Sequence, residues 1–232
     1  MCGRYSLSHS KEKLEERFKV KMTEPWKPRY NVAPTQIMPV ITNKNPTEFS
    51  FFKWGFIPGW SLNDASSLNM INARAETILS KAPFKQVMKT QRCLIPADGF
   101  FEWKKQGKNK IAYRITLNSD DAMAFAGVWD SWERPRDGEI INTFSIITTE
   151  SNQLMKEIHD RMPVIIPKDL ESTWLEEKLT ETEIQMMLKP FDTDKMNCYK
   201  VNKIVNSTSY DIPECLQVAP KIYPGESFSL FD

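Results

Sequence analysis

The feature that most constrains this chain is a succession of short runs rich in β-branched and aromatic residues. They span residues 37–42, 49–54, 92–95, 99–103, 111–117, 122–129, 143–148 and 163–166. Each has the length and composition of a strand, and turn residues separate them. Helical signals are fewer. Ser10 caps a short helix in which Leu14 and Phe18 share a face, and further helices are expected near residues 83–88 and 151–158. An acidic segment, residues 168–190, holds a pair of helices. The second is announced by Thr180, followed three residues later by Glu183 and then by Ile184, Met187 and Leu188, which is a capping-box start. The proline-spaced segment WKPRYNVAPTQ reads as ordered but irregular. The expected fold class is α+β, with a mostly antiparallel, curled or barrel-like sheet core and peripheral helices. The chain shows no repeat, low-complexity tract or Gly/Ser linker, so residues 1–232 are treated as one domain.

No apolar run reaches the roughly 20 residues of a membrane helix, and MCGRYSLSHS lacks the apolar middle of a signal peptide. An intracellular place, cytoplasmic or nucleoid-associated, is expected. Cys2, Cys93, Cys198 and Cys215 are scattered without a CxxC, which argues for free thiols and against a zinc site or disulfide framework. The net charge of +1 conceals an uneven distribution. Residues 72–110 carry nine basic side chains (Arg74, Lys81, Lys85, Lys89, Arg92, Lys104, Lys105, Lys108 and Lys110) against three acidic ones. Residues 169–194 carry eight acidic against two basic. The first stretch is suited to face phosphate and the second to face away from it; solvated faces are the alternative.

Cys2 is the most informative position. Loss of Met1 would leave it with an α-amine and a thiol on adjacent carbons, with reference pKa values of about 7.7–8.0 and about 8.5. Such an aminothiol suits an aldehyde: the amine condenses to an imine and the thiol closes a five-membered thiazolidine. Three segments add functional side chains in apolar surroundings. In INARAET, Asn72 and Arg74 lie two apart and point to one side of an extended segment. In CLIPADGFFEW, Glu102 stands among aromatics, a setting for a raised pKa and general-acid work or, alternatively, a strand residue facing water. In EIHDRMPVII, His159 ends an expected helix, with Arg161 two residues on; a lone histidine is more often structural than catalytic.

Six ordered blocks, MCGRY, RYNVAPTQ, WGFIPGW, INARAET, RCLIPADGFFEW and HDRMPVII, resemble the SOS-response-associated peptidase (SRAP) family of abasic-site processing proteins. The resemblance spans nearly the whole chain. It implies that Cys2 forms a thiazolidine with the ring-opened aldehyde of an abasic site in single-stranded DNA. On the same basis Asn72 senses the sugar and orients the reacting terminus, Glu102 helps open the ring, and His159 supports imine chemistry. Arg74 and Arg161 match phosphate contacts, and Arg4, Pro34, Trp60, Lys81 and Thr148 complete the expected DNA-contacting set. Removal of Met1 by the chain itself is also implied, although a cellular aminopeptidase would serve.

Two departures stand out. Ser61 follows Trp60 where some relatives carry a second tryptophan, and Lys81 replaces an arginine, losing bidentate geometry. A monomer without metal or organic cofactor is expected, since the lesion supplies the electrophile; protein partners are unassigned. The alternatives are an amidotransferase using a freed N-terminal cysteine, a non-covalent binder of single-stranded DNA, and a cysteine protease pairing Cys2 with His159.

Overall fold

The computed structural model describes residues 2–65, 67–119 and 121–220, so Met1 and its removal lie outside the described residues. In chain order the elements are β1 (Tyr5–Leu7), α1 (Lys11–Phe18), β2 (Arg29–Val32), β3 (Ile37–Thr42), β4 (Asn45–Trp54), β5 (Asn72–Arg74) and α2 (Phe84–Thr90). There follow β6 (Arg92–Ala97), β7 (Gly99–Gln106), β8 (Asn109–Leu117), β9 (Met123–Glu133), β10 (Ile140–Glu150), α3 (Gln153–Lys156), β11 (Arg161–Pro163) and β12 (Ile165–Ile166). Helices α4 (Glu171–Trp174) and α5 (Glu181–Met187) and strand β13 (Met196–Lys200) complete the α-helices and strands among the described residues, and short 3-10 turns lie between and after them.

Two sheets organise them. The smaller runs β13-β8-β7-β1-β2. The larger contains a closed ring: β4, β3, β6 and β9 pair antiparallel in sequence, and β10 joins both ends, antiparallel to β9 and parallel to β4. Closure removes exposed edges and gives the barrel-like core that the strand pattern suggested. Its interior is crowded. A Cβ on Gly127 would stand 2.9 Å from Cys93 Sγ and would overlap the Ile95 side chain, so only glycine fits there. Trp54 and Phe144, neighbours across the parallel pair, stack with centroids 6.3 Å apart.

The helices lie outside. Ser10 caps α1 by accepting from Lys13 N–H at 3.3 Å, and Leu14 is the residue this helix buries. The capping box forms at α5, where Thr180 Oγ1 accepts from Glu183 N–H at 3.2 Å and the Glu183 carboxylate accepts from Thr180 N–H at 2.7 Å. None of the described helices is long and apolar enough to cross a membrane.

Several expectations need correction. WKPRYNVAPTQ is not wholly irregular, because Arg29–Val32 forms β2 and pairs with β1. The helix expected at residues 151–158 is one turn, and the strand expected at residues 163–166 divides into β11 and β12, which pair with β10 and β9 respectively. Arg92 does not belong to a phosphate-facing patch. It is fully buried, and its guanidinium donates to the carbonyls of Met88, Lys89, Trp174 and Glu176, tying α2 and the chain after α4 to β6. Cys2, Cys93, Cys198 and Cys215 are free.

Candidate active site

Strand β1 brings the start of the chain into the seam between the two sheets. Tyr5 is opposite Phe100 of β7 and Val32 of β2, and its ring lies 5.2 Å from Trp54 and 5.9 Å from Phe125 of the barrel. Beyond this the chain stays against β7, since Phe101 N–H donates to Arg4 C=O at 2.9 Å. Cys2 is consequently buried completely, with its thiol 4.0 Å from the Arg4 carbonyl oxygen. Burial, reinforced by the negative charge of Glu102, pushes that thiol far above its ordinary value.

Glu102 owes its position to strand alternation. Phe101 packs into a small cluster with Ala112, Val201, Val205 and Cys215, and Trp103 joins that cluster from its edge. Glu102 between them points the other way, as does Phe100, whose ring meets Phe125 at 6.0 Å. Glu102 is only 3% exposed, and the loss of water around its carboxyl pushes it up to about 7. The water-facing alternative for this residue does not apply.

His159 arrives from another direction. It closes the turn after α3, its N–H donating to Met155 C=O at 2.8 Å, and stands just before β11. Burial is the main cause that lowers its pKa. Its Nδ1 lies 3.0 Å from Arg161 N–H and 2.8 Å from Asp160 Oδ1, two contacts that require opposite proton positions. The lowered pKa favours the neutral ring, which can accept from Arg161 N–H, and Asp160 is exposed. His159 and Glu102 line one cavity of about 410 Å³ with Trp103, Lys105, Lys110 and Asn206.

A second group forms around β10. Strand β5 runs parallel to it, placing Asn72 opposite Ile146 and Arg74 opposite Thr148. Asn72 Nδ2 donates to Ile71 C=O at 3.0 Å, while its buried Oδ1 has no hydrogen-bond partner among the described residues. Arg74 is exposed. Thr148 is fully buried, and the Arg161 guanidinium donates to its carbonyl at 2.6 Å and to its hydroxyl at 3.3 Å. Arg161 also grips Glu76 at 2.6 and 3.0 Å. Glu76 was missed by sequence reasoning, although it sits two residues after Arg74 in the same motif.

The remaining expected contacts are dispersed. Arg4 donates to Asn31 Oδ1 and to Val205 C=O, both at 2.8 Å, and its guanidinium lies 5.7 Å from the Trp103 ring. Pro34 is half-buried, and Lys81 is exposed ahead of α2. Trp60 is 71% exposed. The preceding turn is pressed against the β9–β10 hairpin: Gly59 N–H donates to Asp130 Oδ2 at 2.7 Å, and a Cβ on Gly59 would come 2.8 Å from Ser131 C=O. Pro34, Trp60 and Lys81 all lie outside the Glu102–His159 cavity.

One more buried group anchors the site. Asp98, at the corner between β6 and β7, accepts from Ser6 Oγ at 2.6 Å, Ser8 Oγ at 2.7 Å and Arg114 at 2.9 Å, and lies 3.0 Å from His9 Nδ1. Burial alone would raise its carboxyl. His9, Arg114 and the two serines outweigh that and hold it well below the usual carboxylate range. The network fastens β1, and with it Cys2, to β7.

Residues 1–208 match the family described as SOS response associated peptidase (SRAP). The chain is 40% identical over 223 residues to the abasic site processing protein YoqW of Bacillus subtilis (strain 168), covering 94% of this chain and 99% of that protein. It is 41% identical over 222 residues to the abasic site processing protein YoaM of the same organism, covering 93% and 97%. A crystal structure of a protein from Bacteroides thetaiotaomicron superimposes with a TM-score of 0.88 at 33% identity, covering 94% of this chain and 100% of that one.

Proposed function

Because the chain belongs to the SRAP family, we propose that it processes abasic sites in single-stranded DNA by covalent capture at Cys2 once Met1 is gone. The observation that carries this reading is the pairing of a buried Cys2 with a buried Glu102 whose carboxyl is pushed up to about 7. A carboxyl poised there gives and takes protons near neutral pH, which a ring-opening and condensation sequence requires.

The chemistry divides among the residues as follows. Abasic deoxyribose rests mainly as a cyclic hemiacetal. Glu102 delivers a proton to the ring oxygen as the anomeric hydroxyl loses one, which opens the ring to the aldehyde. The Cys2 α-amine then adds to C1′, and loss of one water gives an imine. Addition of Sγ to the same carbon, with the thiol proton passing to nitrogen, closes the thiazolidine. A protonated, buried thiol needs a base beside it for this last step, and ionised Glu102 supplies one. Neutral His159, facing the same cavity, stabilises the carbinolamine and assists loss of water. The unpartnered Asn72 Oδ1 offers an acceptor for a sugar hydroxyl or for the reacting amine. Arg74 and Arg161 bind flanking phosphates. Met1 is removed by the chain's own site or by a cellular aminopeptidase.

The test is incubation of Met1-free protein with a single-stranded oligonucleotide bearing one abasic site. A band that survives denaturation, and a Cys2 peptide carrying the DNA remnant by mass spectrometry, are expected. Processed protein that binds the oligonucleotide without forming such a band is a non-covalent binder, and the capture reading fails.

A further inference from the structure

The cavity that holds Glu102 and His159 continues onto the hairpin of β7 and β8, where the proposed chemistry makes no use of what lines it. Lys105 and Lys110 face each other directly across the ladder, and both line the cavity. Like charges in directly opposed positions destabilise a strand pair. Neither has an acidic partner within ion-pair distance among the described residues, whereas neighbouring Lys104 lies 3.4 Å from Glu157. The tip of this hairpin extends beyond the strands that flank it, and lysines at such a tip commonly discourage pairing with other chains. That role accounts for Lys108 at the turn, but it gives no reason for two facing cations on the wall of a cavity shared with the reacting groups.

The floor beside them is organised as well. Trp103 is held by Nε1–H donation to Asn206 Oδ1 at 2.7 Å and is covered by Arg4 at 5.7 Å. The cations around the reacting centre therefore come from two separate sheets: Arg74 and Arg161 from strands beside β10, Lys105 and Lys110 from the β7–β8 hairpin. A polyanionic strand whose sugar occupies the cavity has to leave it in two directions.

We propose that Lys105 and Lys110 form a second phosphate subsite, gripping a phosphodiester on one side of the lesion while Arg74 and Arg161 serve the other. This assignment rests on the reading of the cavity as the abasic-sugar site. It identifies the hairpin as the arm that guides one flank of the DNA past Trp103. Both lysines are exposed, so ligand contact needs no rearrangement of the core.

The experiment measures non-covalent affinity for a single-stranded oligonucleotide carrying a tetrahydrofuran abasic analogue, which has no aldehyde, across a series of salt concentrations. Wild type is compared with the Lys105→Gln/Lys110→Gln double variant. For every phosphate that the variant no longer neutralises, the plot of log affinity against log salt should flatten by about 0.7. The flattening is expected to vanish when one flank is shortened to the lesion and to persist when the other is. Lys108→Gln removes a charge of the same kind at the turn, outside the cavity, and should leave the slope as in wild type. Wild-type binding with an unaltered slope in the double variant overturns the subsite alone. Equal flattening by Lys108→Gln also overturns it, since general hairpin charge would then suffice. No binding of abasic DNA by wild type overturns the functional reading and this subsite together.

Discussion

Glu76 and Arg161, 85 positions apart in the chain, meet as a bidentate carboxylate–guanidinium pair at 2.6 and 3.0 Å. The fork expected to meet DNA phosphate is thus already engaged by an acid of the same motif that carries Asn72 and Arg74. Phosphate and carboxylate compete for the same donors. Glu76→Gln keeps one acceptor for Arg161 and removes the competing charge, so affinity for abasic-analogue DNA should rise roughly two- to fivefold at low salt. A titration showing weaker binding instead would assign Glu76 to holding Arg161 in place.

Glu102 links the site to pH in two ways. Its carboxyl is raised to about 7 by burial, so the rate of adduct formation should show an ionisation near that pH which Glu102→Gln abolishes, together with about a hundredfold loss of rate. The stability consequence has a definite sign. A carboxyl with a raised folded-state pKa favours the fold below its unfolded pKa of about 4.3, and this contribution is lost as pH rises through about 7. Glu102→Gln should therefore raise the melting temperature at pH 8 more than at pH 4. An equal shift at both values would show that the carboxyl has the same pKa in the folded and unfolded chain, and that burial does not raise it.

Cys2 separates the two bonds of the proposed adduct. Cys2→Ala leaves the α-amine but removes the sulfur, so a denaturation-stable adduct should disappear while an imine remains that borohydride can trap. Loss of trapping as well would mean that the amine is not the first nucleophile. Binding of the aldehyde-free analogue is the control, and it should change little.

Asp98 tests how firmly the reacting end is held. Asp98→Asn removes a buried charge from Arg114 and disturbs the donors from Ser6, Ser8 and His9, which should cost about 3–5 kcal/mol. For a chain of this length that corresponds to a fall of roughly 6–20 °C in melting temperature. In wild type the depressed carboxyl contributes above its unfolded pKa of about 3.9, and that contribution fades as pH falls towards its lower folded-state value. Acid titration should consequently narrow the gap between the variant and wild type.

The sequence by itself determined the features that depend on neighbours along the chain. β3 appears with its expected bounds, because alternation and side-chain type over a few residues report on a pleated, half-buried surface. The Thr180 capping box formed because its partners are three residues apart. Blocks such as INARAET, CLIPADGFFEW and HDRMPVII were legible along the chain, and they offered Asn72, Glu102 and His159 as candidates before any geometry was known.

Tertiary structure decided what depends on partners distant in the chain. β2 escaped notice because its support comes from β1, and the parallel pairing of β10 with β4 and β5 has no local signature. Charge could be counted from the sequence, but Arg92 was placed with the exposed lysines because composition carries no information about which guanidinium will find four carbonyls in the core. The same limit holds for Glu76 with Arg161 and for Lys105 facing Lys110: local propensity sets the strand, whereas register and closure set who meets across it. Even Glu102, singled out early for its aromatic neighbours, acquires its raised pKa only when the folded sheets exclude water from the carboxyl.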